Sequence, residues 1–305
     1  MTPEASNYHN PVMLKECIDG LDIKPDGVYV DLTFGGGGHS KAILEKLKGG
    51  HLYAFDQDQD AKQNAQQIKN SSFTFIEGNF RYLKRYLKMY GVKAVDGILG
   101  DLGVSSHQID DAERGFSTRF DAELDMRMDR SAAKTARQVI NEYSQEELHR
   151  ILGMYGEVRN AKTLAAAIVA ARVNAEISTI NDLKHILSRY AKRGKENKYY
   201  AQVFQAIRIE VNEELKALEE MLEQSSEVLT KGGRLVIMSY HSLEDRLVKN
   251  FIQKGKLAGE VEKDFYGNVI RPFEAVTRKP TTASDEEIKE NNRARSAKLR
   301  IAEKL

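Results

Sequence analysis

Val28-Tyr-Val-Asp-Leu-Thr-Phe-Gly-Gly-Gly-Gly-His39 is a short apolar run that passes through four consecutive glycines into a helix-forming stretch, Ser40–Leu47. Pro25-Asp-Gly27 bounds the run in front. A strand-to-helix turn built of glycine lets the backbone come close to a ligand, and the amides opening the helix favour polar or negative atoms. Outward from this stretch the pattern repeats. His51-Leu-Tyr-Ala-Phe-Asp56, Phe73-Thr-Phe-Ile76 and Val95-Asp-Gly-Ile-Leu99 read as strands, with helices over Gln59–Lys69 and Phe80–Tyr90. Strands spaced by helices make parallel βαβ units with right-handed crossovers, and strands of such a buried sheet need not alternate apolar with polar. The expected fold class is α/β.

From about residue 110 the pattern changes. Ser144-Gln-Glu-Glu147 has the form of a capping box. Thr163–Asn174 is Ala-rich and helical, and Thr179-Ile-Asn-Asp182 opens a helix running to about Tyr190. The charged stretch Arg189–Lys198 reads as a loop, and no strand is evident between 112 and 205. Val203–Leu229 then reads as one helix, with Leu215, Leu218, Leu222 and Leu229 on one face and Thr230-Lys-Gly-Gly233 closing it. A strand at Arg234–Ser239 follows, then a helix capped by Ser242-Leu-Glu-Asp245 and edge strands at Val276–Arg278 and Ser296–Ile301. The simplest organisation is one sheet domain, residues 1–110 and 214–305, interrupted by an all-helical domain over 111–213.

Composition narrows the class. The chain has 305 residues, 41% hydrophobic and 30% charged, and 46 Lys+Arg against 45 Asp+Glu leave a net charge of +1. A core of ordinary size can be buried, and any contact with nucleic acid must come from local basic patches. Cys17 is the only cysteine, so neither an internal disulfide nor a cysteine zinc site can form. The longest apolar run, Leu164–Ala171, has eight residues against roughly 20 for a membrane span. Met1–Asn10 is polar and lacks a signal-peptide core. A soluble protein of the cytoplasm is expected. The seven histidines are dispersed, with no H-E-x-x-H, so no metal is expected. No G-x-S-x-G elbow exists for a serine hydrolase.

Candidate site residues gather at strand ends. Asp56 ends the second strand, 18 residues after Gly38, where a carboxylate can accept hydrogen bonds from two ribose hydroxyls. The dinucleotide fingerprint is incomplete: Gly36 and Gly38 match, but the third position is Lys41. That weak form suits an adenosine-bearing ligand without pyrophosphate, S-adenosylmethionine above all. Asp101, just past the fourth strand, can hold an amino group. Drawing the N–H of an exocyclic amine toward an acceptor frees the nitrogen lone pair for methyl transfer, and positioning supplies much of the rate. A turn-forming aspartate is the plain alternative. His241, after the fifth strand, can touch a target base or a phosphate, or be structural. Tyr240 can stack on a flipped base or fill the core. Leu124–Asp129 alternates apolar and charged residues and reads as a loop over the cleft or a solvated turn. Three basic clusters stand out: Arg81, Lys84, Arg85 and Lys88; Arg189, Lys192, Arg193, Lys195 and Lys198; and Arg293, Arg295, Lys298 and Arg300. The second and third are favoured for phosphate contacts; the first suits a solvated helix face equally well.

Eight motifs in order carry a resemblance over about 290 residues. They are His9-Asn-Pro-Val-Met-Leu14, Asp31–Ser40, Asp101-Leu-Gly-Val-Ser-Ser106 and Asp110-Asp-Ala-Glu-Arg-Gly-Phe-Ser117. Leu124-Asp-Met-Arg-Met-Asp129, Phe204–Asn212, His241-Ser-Leu-Glu-Asp-Arg246 and Arg293-Ala-Arg-Ser296 complete them. With these the chain resembles the bacterial 16S ribosomal RNA (cytosine-N4)-methyltransferases, which use S-adenosylmethionine. The resemblance implies a Rossmann-like class I methyltransferase sheet with an inserted helical domain that helps recognise RNA. It implies cofactor contacts from Gly36, Gly37, Gly38, His39, Asp56, Phe80, Asp101 and Gln108, with Phe80 either stacking on adenine or filling the core. It makes the RNA, or the small ribosomal subunit, the partner, with Arg189, Arg193, Lys195, Lys198, Arg293 and Arg295 as contacts. Asp101 is claimed twice, as cofactor contact and as acceptor for the target amine. Oligomeric state is open, a homodimer being one arrangement. The rival readings are a nicotinamide-dependent oxidoreductase and a non-catalytic RNA-binding protein on the same fold.

Overall fold

The computed structural model describes residues 11–305. The polar stretch Met1–Asn10, with His9 and Asn10 of the first motif, lies outside the described residues. The chain forms two compact units: the residues through Gly103 together with Leu215–Leu305, and Val104–Glu214.

The first half of the first unit runs α1 (Leu14–Leu21), β1 (Val28–Asp31), α2 (Gly38–Lys46), β2 (His51–Asp56), α3 (Gln59–Ala65), β3 (Phe73–Glu77), α4 (Leu83–Met89) and β4 (Val95–Asp101). These strands pair in parallel, β3 with β2, β2 with β1, and β1 with β4. The pairing reverses direction at β1, and this is where open α/β sheets receive ligands, outside the carboxyl ends of the strands. Side chains alternate across the sheet. Val30, Ile98 and Ile237 pack with Leu83, Leu87, Leu218 and Phe251 on one face. Tyr29, Leu99, Val236 and Met238 pack with Cys17, Leu21, Ile43 and Leu44 on the other.

The second unit contains α5 (Ser106–Asp110), α6 (Ala136–Glu142), α7 (Gln145–Met154), α8 (Ala161–Asn174), α9 (Ile180–Ser188) and α10 (Glu196–Asn212). Its core is formed by Ile140, Leu148, Ile151, Leu164, Leu183, Val203 and Ile207, among others. The Ser144/Glu147 capping box forms as read, and reciprocal boxes also open α5 (Ser105/Gln108), α6 (Thr135/Gln138) and α9 (Thr179/Asp182). The chain then returns to the first unit with α11 (Glu214–Val228), β5 (Leu229–Ser239), α12 (Ser242–Lys254), β6 (Phe273–Ala275), α13 (Asp285–Glu290) and β7 (Lys298–Lys304). The seven-stranded sheet has the order β3-β2-β1-β4-β5-β7-β6, with β7 antiparallel to both its neighbours. This is the Rossmann-like class I methyltransferase sheet that the motifs imply.

Several local readings are corrected. Val203–Leu229 is not one helix. It breaks at Glu213, whose φ of 49° is left-handed. The Asn212 side chain beside it donates to the carbonyls of Met126 (2.8 Å) and Arg208 (2.9 Å) and accepts from Met128 N (2.7 Å). Tertiary anchoring thus overrides helix propensity. The same bonds show that Leu124–Asp129 is no solvated turn: Leu124 and Met126 are each 1% exposed, and the buried Arg114 guanidinium donates to the carbonyls of Arg127 and Met128. The charged loop ends at Lys195, because α10 begins at Glu196. Leu229 belongs to β5, where it pairs with Val95, and the left-handed Gly232 lies inside that strand rather than after a helix. The α12 cap is His241, one residue before Ser242. The edge strand is Phe273–Ala275 in place of Val276–Arg278, since the buried Phe273 packs on Phe251.

Asn212→Ala would strand the Met128 amide and two carbonyls in a part-buried setting. A loss of about 2–4 kcal/mol is expected, read from the denaturant midpoint at unchanged slope.

Candidate active site

The glycine loop is held by its own packing. Phe34 turns its ring down onto Phe75 (centroids 5.4 Å apart) and Phe73 (5.7 Å). Gly37 crosses over that ring with φ of 78°, and a Cβ there would lie 2.7 Å from Phe34 Cζ. At Gly38 a Cβ would lie 2.2 Å from Pro11 Cγ. Gly35, with φ of 51°, is different: a Cβ there would meet nothing within 4 Å. Two of these glycines are demanded by close packing, and Gly35 faces open space. Gly36 is exposed.

Three carboxylates end three adjacent strands. Asp31 closes β1 and is 1% exposed; its Oδ2 accepts from Ser40 Oγ at 2.6 Å and its Oδ1 from Thr33 N at 3.1 Å. Burial raises its pKa, while Ser40, His39 and Thr33 work against the rise. Asp56 closes β2; its Oδ2 accepts from Gly35 N at 2.8 Å and its Oδ1 from Asp58 N at 2.9 Å. Burial pushes it up to about 6 despite those two amide donors. Asp101 closes β4, and its amide donates to Thr33 Oγ1 at 2.7 Å. Its Oδ1 accepts from Tyr240 Oη at 2.8 Å, and its Oδ2 accepts nothing among the described residues. Burial pushes Asp101 up to about 6; His39 and the Tyr240 hydroxyl hold it down, while Asp31 and Glu244 raise it. Burial and the neighbouring Asp101 raise the Tyr240 phenol well above its ordinary value, so the phenol keeps its proton and donates it.

The remaining predicted residues are placed as follows. His39 is buried, and its Nε2 donates to the Val12 carbonyl at 3.2 Å. Phe80 is half-buried in a 3₁₀ turn over Phe80–Tyr82 and packs against the sheet core. Tyr240 and His241 follow β5, and buried Glu244 reaches back to both: its Oε2 accepts from Tyr240 N at 3.0 Å and His241 N at 3.4 Å. The His241 ring accepts from Glu244 N at Nδ1 (3.4 Å) and turns Nε2 toward Glu244 Oε1 (3.3 Å). Nδ1 is thus engaged by its own helix, while the buried Nε2 makes no hydrogen bond among the described residues. Gln108 lies in the second unit, 5% exposed, with its side chain accepting from Ser105 N. Thr33, Ser40 and Glu244 escaped sequence reading; the first two sit inside the glycine motif, and Glu244 follows His241 by three positions.

Of the basic clusters, the first is half paired in place: Arg81 pairs with Glu220 at 2.6 Å and Lys84 with Glu227, while Arg85 and Lys88 are exposed. In the third, Arg300 (2.7 Å) and Lys298 (3.5 Å) both pair with Asp245, and Arg295 is exposed. In the second unit Arg193, Lys195 and Lys198 are exposed, and Arg189 Nη2 lies 2.9 Å from His185 Nε2.

The sequence model of the MraW methylase family matches residues 6–305. The chain belongs to the MraW methylase family. A protein of Cytophaga hutchinsonii named ribosomal RNA small subunit methyltransferase H is 64% identical over 297 residues, covering 97% of this chain and 99% of that one. One of the same name from Christiangramia forsetii is 58% identical over 299 residues, 98% of each. A solved rRNA methylase from Streptococcus thermophilus aligns over 96% of this chain and 93% of its own at 14% identity and a TM-score of 0.41. As a MraW-family methylase the chain is an enzyme, and the oxidoreductase and non-catalytic readings fall away.

Asp101 carries a stability consequence. A carboxyl whose folded pKa exceeds its unfolded value favours the native state while protonated, and that contribution is lost as pH rises through about 6. Asp101→Asn keeps an acceptor for Tyr240 without the charge. It is expected to stabilise the fold at pH about 8, by up to about 3 kcal/mol, and to do little at pH about 4, as denaturant midpoints at the two values would show.

Proposed function

We propose that the protein transfers the methyl group of S-adenosylmethionine to the N4 amine of a cytidine in small-subunit ribosomal RNA. The observation that carries this is the row of carboxylates, buried Asp31 between half-buried Asp56 and Asp101, beside the glycine loop at the reversal of the sheet. The near-full-length relatives named ribosomal RNA small subunit methyltransferase H supply the substrate class.

The residues present fit the cofactor. Gly35 leaves open space where a side chain would otherwise stand. Asp56 keeps lone pairs beyond its two backbone donors, suited to ribose hydroxyls. Gly36, Gly37, Gly38 and His39 would supply the loop against the ligand, with Phe80 and Gln108 as further contacts. When bound, the cofactor supplies an electrophilic methyl on a sulfonium sulfur. Among the chain's own residues, Asp101 has one oxygen fixed by Tyr240 and the other available to draw on the N–H of the target amine. In this reading Tyr240 orients that carboxylate and does not stack on the base, and His241, locked by Glu244, sets the start of α12 beside it.

The exposed Arg193, Lys195 and Lys198, with Arg189, Arg293 and Arg295, are read as phosphate contacts, and the helical unit as the part that recognises RNA. The protein acts in the cytoplasm, where its substrate is made. A homodimer is a further arrangement, which sedimentation velocity would detect. Among the described residues no helix is long and apolar enough to cross a membrane.

Two measurements test the reading. Labelled methyl incorporation into small subunits should fall at least about 10²-fold in Asp101→Ala. Calorimetry then separates the two claims on this residue: unchanged cofactor affinity assigns it to the amine, weakened affinity to the cofactor. In wild type the rate should rise with pH through about 6 as Asp101 ionises. Tyr240→Phe removes a donor that favours the ionised form and should shift that limb to higher pH; an unmoved limb would remove Tyr240 from this role. For the basic residues, Arg193→Ala should weaken RNA binding and lower the slope of log K against log salt by about 1.

A further inference from the structure

The most exposed aromatic side chains among the described residues stand together on a hairpin that plays no part in the site. Phe265 is 98% exposed and Tyr266 86%, their ring centroids 5.6 Å apart and the planes at 86°. The segment beneath them is built to hold this shape. Lys263 bridges Val269, Ile270 N donates to the Glu262 carbonyl at 2.9 Å, and Asp264 N donates to the Asn268 carbonyl at 2.9 Å. Asp264 closes the tip: its carboxylate accepts from Tyr266 N (2.9 Å), Asn268 N (2.8 Å) and Asn268 Nδ2 (3.1 Å). The base of the hairpin abuts the end of α12, where a Cβ on Gly255 would lie 2.6 Å from the Ile270 carbonyl. Two large rings are therefore held in water on an ordered turn, a standing cost that burial elsewhere would remove.

We propose that the Phe265–Tyr266 tip is a stacking platform for unpaired bases of the RNA substrate, a proposal that rests on the RNA-methyltransferase reading above. Three observations favour bases over other occupants. With the planes near perpendicular, each ring keeps a face free, and a base needs one such face. The apolar patch is small, two rings with Ile270 (56% exposed) and Val261 (36%), well short of the roughly 800 Å² per partner of a stable protein interface. Two of the nearby acids are engaged locally, Asp264 within the turn and Glu262 by Lys256, leaving exposed Glu260 at the foot of the hairpin, while exposed Lys263 stands beside the rings. Stacking on such rings contributes about 1–3 kcal/mol per base, whatever the base.

The 305-residue chain has no tryptophan, so Phe265→Trp places a single indole at the tip. Its emission is titrated with a single-stranded oligocytidylate of about 12 nucleotides, and separately with vesicles of neutral and anionic phospholipid. In parallel, F265A/Y266A is compared with wild type for oligocytidylate affinity and for methyl transfer to small subunits. The expected results are quenching by RNA, a fall in RNA affinity of at least about fivefold in the double variant, and a raised KM at unchanged kcat. Equal affinity and KM in variant and wild type would overturn the proposal. So would emission that responds only to vesicles, which marks a membrane contact, or to protein concentration alone, which marks self-association. Failure of the underlying reading looks different, since wild type would then incorporate no methyl into small subunits whatever the tip does.

Discussion

Everything at the carboxyl edge of the sheet depends on keeping the Asp31 carboxylate out of water at the end of β1. A buried carboxylate must be given donors, or it loses its charge or the fold loses stability. The chain supplies them from the turn that follows: Thr33 N to one oxygen and Ser40 Oγ to the other. These bonds tie the strand end to the start of α2 and fix where the glycines lie between them. Thr33 then accepts the Asp101 amide through its hydroxyl, which joins β1 to β4. Gly35 N reaches the other way to Asp56. Loop, β1 and both flanking strands thus form one hydrogen-bonded unit.

Much of this was legible in the sequence, for a physical reason. The strands around Asp31, Asp56 and Asp101 are short apolar runs bounded by turn residues, and the loop between β1 and α2 announces itself by glycine. Capping at Ser144 was equally plain, because a capping box is local chemistry between residues three apart. What escaped was set by distant partners. Nothing local marks Glu213 as the end of a helix; the break follows from the bonds Asn212 makes to Met126 and Met128. The alternation in Leu124–Asp129 reads equally as a solvated turn because Arg114, which holds its carbonyls, lies 13 and 14 residues before them.

The charged residues teach the same lesson about nucleic-acid surfaces. Spacing alone put Arg81 and Lys84 on a helix face, and the fold answers them with Glu220 and Glu227 from α11. Lys298 and Arg300 converge on Asp245 of α12, and together they outweigh its burial and lower the acid's pKa. Exposed Arg193, Lys195 and Lys198 pair with no acid among the described residues, which leaves them open to an outside partner.

The second unit has a further consequence, for the order in which the protein assembles. β4 and β5 are neighbours in the sheet, yet the whole of Val104–Glu214 separates them along the chain. While the polypeptide is being made, β4 is an open sheet edge until β5 arrives, a state prone to mispairing with other chains. Four helices of the intervening unit carry start signals written within three residues of themselves, at Ser105, Thr135, Ser144 and Thr179. Such short-range instructions let that unit take shape quickly, so the delay before β5 can close the edge is spent beside folded rather than unfolded chain.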